Sequence, residues 1–127
     1  MTRIFLTKNF SKWADSVGLL DEKIDQTVTE IENGLVDVNL GSNLFKKRIG
    51  INNQGKSGSL RTLIGFKAGD NAFFLYGFPK NERGNITKQE KEAFKEMSRA
   101  LFELSEGKLR KAIESSALRE IDRAEEG

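Results

Sequence analysis

Lys46 and Arg48 stand two residues apart in the run LFKKRIGI, and Arg61 lies in the run SLRTLIGFK. Both runs read as β-strands, where successive side chains alternate between faces. Lys46 and Arg48 then share one face with Leu44. Phe45, Lys47, Ile49 and Ile51 share the other, which makes Lys47 the odd member there. In the second run Leu60, Thr62, Ile64 and Phe66 form an apolar face, while Arg61 points the other way with Leu63 and Lys67. If the strands are antiparallel neighbours, Lys46, Arg48 and Arg61 converge. The turn PKNERGN adds Lys80, Glu82 and Arg83 at the end of a third strand, and Tyr76 lines the same cleft. Cations gathered this way suit a phosphate, because guanidinium and ammonium groups match its oxygens and offset charge that develops on it. The plainer alternative is a solvated strand edge, where Lys is common as protection against pairing.

The formal net charge of +2 conceals an uneven distribution. Residues 46–67 carry six Lys/Arg and no acid, while residues 1–45 carry four Lys/Arg against seven Asp/Glu. A local field of that sign suits a polyanion such as nucleic acid. With neither His nor Cys in its 127 residues, the chain has no Ser-His or Cys-His catalysis, no disulfide and no thiolate metal site. Carboxylate-bound Mg²⁺ stays possible, yet no cofactor or metal is called for. No apolar run approaches a membrane span, and MTRIFLTKNFSKW has no secretory core, so a cytoplasmic location is the default expectation.

GINNQGKS, from Gly50 to Ser57, fits the phosphate-loop pattern G-x-x-x-x-G-K-[ST]. A true phosphate loop leaves a buried strand and opens a helix. Here FKKRI precedes it, too charged for a strand buried on both faces, and GSLRTLIGF follows with no helical stripe. The glycines read instead as a hairpin loop with Lys56 at its tip.

The elements that must position these cations follow from periodicity. Arg3 to Thr7 predicts a strand. Phe10, Trp13, Ala14 and Val17 predict a helix closed by Gly18. Asp21 is the expected cap of a second helix whose stripe is Ile24, Val28, Ile31 and Leu35, ending at Gly34. DVNLGSN reads as a polar link. Three strands follow, the last two joined by Ala68-Gly69-Asp70. Thr87 and Glu90 form a capping box ahead of Ala93, Phe94, Met97, Ala100, Leu101 and Leu104, with Gly107 as the close. A weaker helical pattern runs from Leu109 to Ile121, and DRAEEG reads as a frayed tail. The expected fold is α+β in the order βααβββαα, a small, mainly antiparallel sheet covered by N-terminal and C-terminal helices.

The run from Gly41 to Thr87 resembles the RelE/HigB type of bacterial toxin, in the RelE/ParE superfamily of toxin–antitoxin systems. The residues that carry the resemblance are Lys46-Lys47-Arg48, the loop Gly55-Lys56-Ser57-Gly58, the strand start Gly58-Ser59-Leu60-Arg61, and Lys80-Asn81-Glu82 after an aromatic strand. It covers about residues 1–105 of a single RelE-like domain spanning 1–127, with a helical C-terminal extension from about 106. It implies a ribosome-dependent mRNA endoribonuclease, metal-independent, in which a ribose 2′-OH attacks the adjacent phosphate. It also implies a partner antitoxin, held in a hetero-oligomer. Lys46 is then the general-base candidate. Lysine's reference pKa is about 10.4, above the useful range, and neighbouring cations disfavour its protonated form. Arg48 and Arg61 would stabilise the phosphate, and Lys80 or Arg83 the leaving 5′ oxygen. Lys47, Lys56 and Lys67, with Tyr76, would hold RNA. The RelE type also places a C-terminal aromatic near the cleft. No Tyr follows Tyr76, so that role is empty or falls to Tyr76 itself. The superfamily's gyrase-directed ParE branch is the alternative, and the basic set favours the nuclease branch.

Overall fold

A strand in the middle of a covered sheet must be apolar on both faces, and IFLT meets that demand. A computed structural model, which describes residues 2–50 and 59–123, makes Ile4–Thr7 strand β1, with Ile4, Phe5 and Leu6 fully buried. Thr7 caps helix α1 (Lys8–Val17) by accepting a hydrogen bond from the Phe10 amide at 3.2 Å, and Gly18 closes it with a left-handed φ of 73°. Helix α2 (Asp21–Glu32) buries Ile24, Val28 and Ile31. Leu35 does not extend that stripe, because the helix has ended at Asn33 and Leu35 is exposed. Asp21 is also not the cap. Leu20 holds that position without a side-chain bond, and Asp21 instead adds negative charge to the first turn and pairs with Arg119 at 2.9 Å.

The expected polar link contains a strand. Val38–Gly41 forms β2, which turns through Ser42 and Asn43, both with positive φ, into β3 (Leu44–Ile49). Two positive φ values at the tip give a two-residue hairpin the twist its strands need. Strands β4 (Leu60–Phe66) and β5 (Ala72–Pro79) follow as expected, joined through Gly69 at φ 78°. The capping box of Thr87 and Glu90 starts helix α3 (Lys88–Phe102). Gly107 does not close it: α3 ends at Glu103, and Gly107 lies in the first turn of α4 (Glu106–Glu114).

The weaker helical pattern does not continue to Ile121. Leu118–Ile121 is β6, antiparallel to β1. Leu118 and Ile121 are three residues apart, which suits one helix face but puts them on opposite faces of a strand. Leu118 joins the core with Phe5, Leu63 and Phe73, and Ile121 joins the core with Ile4, Leu6 and Ile24. Unpaired, the outer edge of β1 would leave buried backbone groups without partners, and that need outweighs local propensity. Among the described residues the sheet order is β2-β3-β4-β5-β1-β6, antiparallel except for β1 against β5. Helices α1 and α2 cover one face, and α3 and α4 cover the other.

Nor is the start of the tail frayed. Arg123 pairs with Asp25 at 2.7 Å and Glu32 at 3.1 Å, and donates to Thr29 Oγ1 and the Thr2 carbonyl. The guanidinium fastens β6 to α2, with Asp25 half-buried and Glu32 exposed. Arg123→Ala is expected to cost about 2 kcal/mol, since it leaves the half-buried Asp25 without its charged donor. Urea unfolding with an unchanged slope would measure it.

Candidate functional site

The sheet register joins the three cations. Lys46 opposes Leu63 and Arg48 opposes Arg61 directly. The Phe66 amide donates to the Asn43 carbonyl at 2.8 Å, which sets the alternation and makes Arg48 and Arg61 a non-hydrogen-bonded pair. Such pairs have Cα atoms only about 4.5 Å apart. Two like charges at that separation work against the ladder. Their immediate surroundings compensate only in part. Asp37 accepts the outward-facing Arg48 amide on its carboxylate at 2.7 Å, and Ser59 Oγ accepts from Arg61 at 3.0 Å. Arg48→Thr removes one charge and supplies a good strand former. It should therefore raise stability, by up to about 1 kcal/mol in thermal or urea unfolding, while weakening anion binding.

The loop after β5 leans over the same face. Asn85 Oδ1 accepts from Lys46 Nζ at 3.4 Å, and its carbonyl accepts from Arg83 Nε at 3.0 Å. Arg83 also donates to Tyr76 OH at 3.2 Å and lies over the Phe78 ring at 5.5 Å. Its other donors form a two-pronged pair with Glu90, at 2.5 and 3.1 Å. Glu90 therefore caps α3 and anchors Arg83 with one carboxylate. Tyr76 stacks on Phe94 of α3, with ring centroids 5.1 Å apart. The Arg83 bonds, and then the Thr87 amide, hold the Glu90 carboxyl at about 2, while Glu90 raises the Arg83 guanidinium. A carboxyl depressed in the folded state adds stability in full above its ordinary value of 4.5 and loses it as pH falls towards 2. Glu90→Gln should flatten the stability–pH curve in that window, as read by unfolding at a series of pH values.

This is a bare basic sheet face hemmed by a basic loop. A family model described as the RelE toxin of the RelE / RelB toxin-antitoxin system matches residues 2–121. The chain belongs to the RelE toxin family. A search of curated proteins finds no match to it. As a RelE-type toxin it is one half of a toxin–antitoxin pair, and membership implies an antitoxin partner. Among the described residues no helix is long and apolar enough to cross a membrane, and no three His, Cys, Asp or Glu side chains gather as a metal site.

In this RelE-type fold, Lys46, Arg48, Arg61, Tyr76 and Arg83 come together. Lys80 is exposed beside them, its amide donating to the Ser59 carbonyl at 3.3 Å. Lys47 is not part of the face. It points to the opposite side, is 8% exposed, and pairs with Glu30 of α2 at 2.9 Å, which accounts for a charge among apolar neighbours. Lys67 lies past the far end of β4, six residues and about 20 Å of strand from Arg61. Lys56, Ile51 and the NNQGKSG loop lie outside the described residues. The chain that follows the phosphate-loop match enters β4, antiparallel to β3, rather than a helix. Sequence reasoning missed Asp37, Ser59, Asn85 and the second role of Glu90. Only Glu90 carried a signal, as the acid of the capping box.

Proposed function

We propose that this RelE-type toxin is an endoribonuclease that cuts mRNA on the ribosome. The observation that carries the reading is the close Arg48–Arg61 pair beside Lys46 on a face that α3 leaves uncovered. Such a pair is unfavourable in the free fold and becomes favourable when an anion sits between the guanidiniums. In the proposed reaction Lys46 takes the proton of a ribose 2′-OH. The oxygen attacks the adjacent phosphorus, and the bond to the 5′ oxygen breaks. Arg48 and Arg61 hold the non-bridging oxygens. The products are a 2′,3′-cyclic phosphate and a free 5′-OH, whose proton Lys80 would supply. Most of the Arg83 donors are committed to Glu90, Tyr76 and Asn85, so Arg83 suits holding the loop and Tyr76 in place better than serving the leaving group. Everything needed is protein side chain, consistent with a reaction that uses no metal. The cognate antitoxin would act by covering this face.

The test is cleavage-site mapping on a defined mRNA, with and without translating ribosomes. Cuts at fixed codon positions that need ribosomes, and that slow by about 10²–10⁴-fold in Lys46→Ala, are the expected result. Cuts on free RNA would keep the nuclease and remove the ribosome. Growth arrest by a folded chain that makes no cuts would sink the nuclease reading and favour a ParE-like binder of gyrase.

A further inference from the structure

We propose that the cleft at the open edge of β5 is a nucleobase slot, which takes one unpaired base of an RNA whose phosphates lie on the Lys46–Arg48–Arg61 face. The proposal rests on the nuclease reading and adds to it a site for base recognition.

The slot follows from where β1 stops. β1 pairs with β5 only as far as Leu6 against Phe74, so Leu75 to Pro79 have no strand on that side. The Lys80 amide bonds the Ser59 carbonyl, which sets the alternation along this ladder. Arg61 with Phe78 and Leu63 with Tyr76 are then the hydrogen-bonded pairs. Gly77 and Pro79 turn their backbone groups to the open side. Pro79 has no N–H to leave unpaired there, which suits an edge. The start of α1 stands opposite in place of a strand. Asn9, Phe10 and Trp13 form one wall of a cleft of about 250 Å³, and Gly77, Phe78 and Arg83 form the other.

Its surfaces suit a flat aromatic ring. Trp13 is half-buried against Gly77, where a Cβ would come within 2.1 Å of the indole. Glycine at 77 therefore lets a broad ring lie against the sheet edge. Every base has a π-face for such a surface, and stacking on it is tolerant of sequence. Exposed Asn9 and Glu82 place an amide and a carboxylate at the rim, where hydrogen bonds to a base edge would discriminate. Arg83 lines the cleft and also bonds Tyr76, so the slot is continuous with the basic face. With α1 as the opposite wall, a base fits the opening better than an added peptide strand.

Trp13 is the sole tryptophan, so its fluorescence reports on the slot directly. The probe is a tetranucleotide RNA carrying a 2′-deoxy residue at each position in turn, which removes the attacking hydroxyl and prevents cutting there. The expected result is saturable quenching of Trp13, at least tenfold weaker when one particular residue is made abasic. On ribosome-bound mRNA, Asn9→Ala and Glu82→Ala should both keep cutting but relax the base preference at one codon position by about tenfold. Quenching that no abasic substitution changes, or unaltered base preference in both variants, would overturn the slot and leave the nuclease reading standing. Quenching by the antitoxin but not by RNA would assign the cleft to the protein partner. No cuts from the unaltered chain would remove both proposals together.

Discussion

Burial of β1 on both faces is the constraint from which the rest of the architecture follows. With Ile4, Phe5 and Leu6 all shielded, helices must cover the sheet on each side. One pair of helices precedes β2 and the other follows β5, so each face is closed by a different end of the chain. Helix α3 packs on the Leu44 and Gly65 ends of β3 and β4 and leaves their opposite ends, at Arg48 and Arg61, uncovered. There the sheet shows Lys46, Arg48 and Arg61, while Leu44 and Leu63 on the same face of the two strands stay in the core. The site is the part of the sheet face that the covering layer leaves open.

That opening is electrostatically expensive, and the neighbouring groups moderate the cost without removing it. Asp37 satisfies a backbone amide rather than the Arg48 guanidinium, and Ser59 offers Arg61 a neutral oxygen. Acids that would neutralise the pair are instead spent elsewhere: Glu30 on Lys47, Glu90 on Arg83, Asp25 and Glu32 on Arg123. Among the described residues, none of the ion pairs that Asp and Glu form engages Lys46, Arg48 or Arg61. A fold that keeps its strongest positive field uncompensated gives up some stability for an anion yet to arrive.

The cation convergence was legible because the period of two is strict and the short Gly69 turn fixes the β4–β5 pairing. The capping box was legible for a similar reason, since its residues lie within one turn. β2 was hidden because it is only four residues long and set among polar and glycine residues, although Val36, Val38 and Leu40 do alternate with Asp37 and Asn39. β6 was hidden because Leu118 and Ile121 have the spacing of one helix face, while the strand buries them in two different cores. Alternation already set Lys47 on the opposite face, but its partner there, Glu30, lies on another element and was not legible. Parity put Lys67 on the correct face, but distance along the strand removes it. The anchoring of Arg83 needed the knowledge that a helix-capping carboxylate has a second oxygen within reach of the loop.

The pairing of β1 with β6 has a consequence for synthesis. Ile4 is hydrogen-bond neighbour to Ile121, so β1 finds this partner only after every other strand and helix has been made. Until then β1 has one side of its ladder open and an apolar surface exposed, a state with a large loop still to close. A nascent RelE-type chain of this design completes its sheet only once Leu118–Ile121 has emerged. The basic face on β3 and β4 thus emerges before the scaffold that holds it is complete, which leaves an interval in which a partner can meet the chain first.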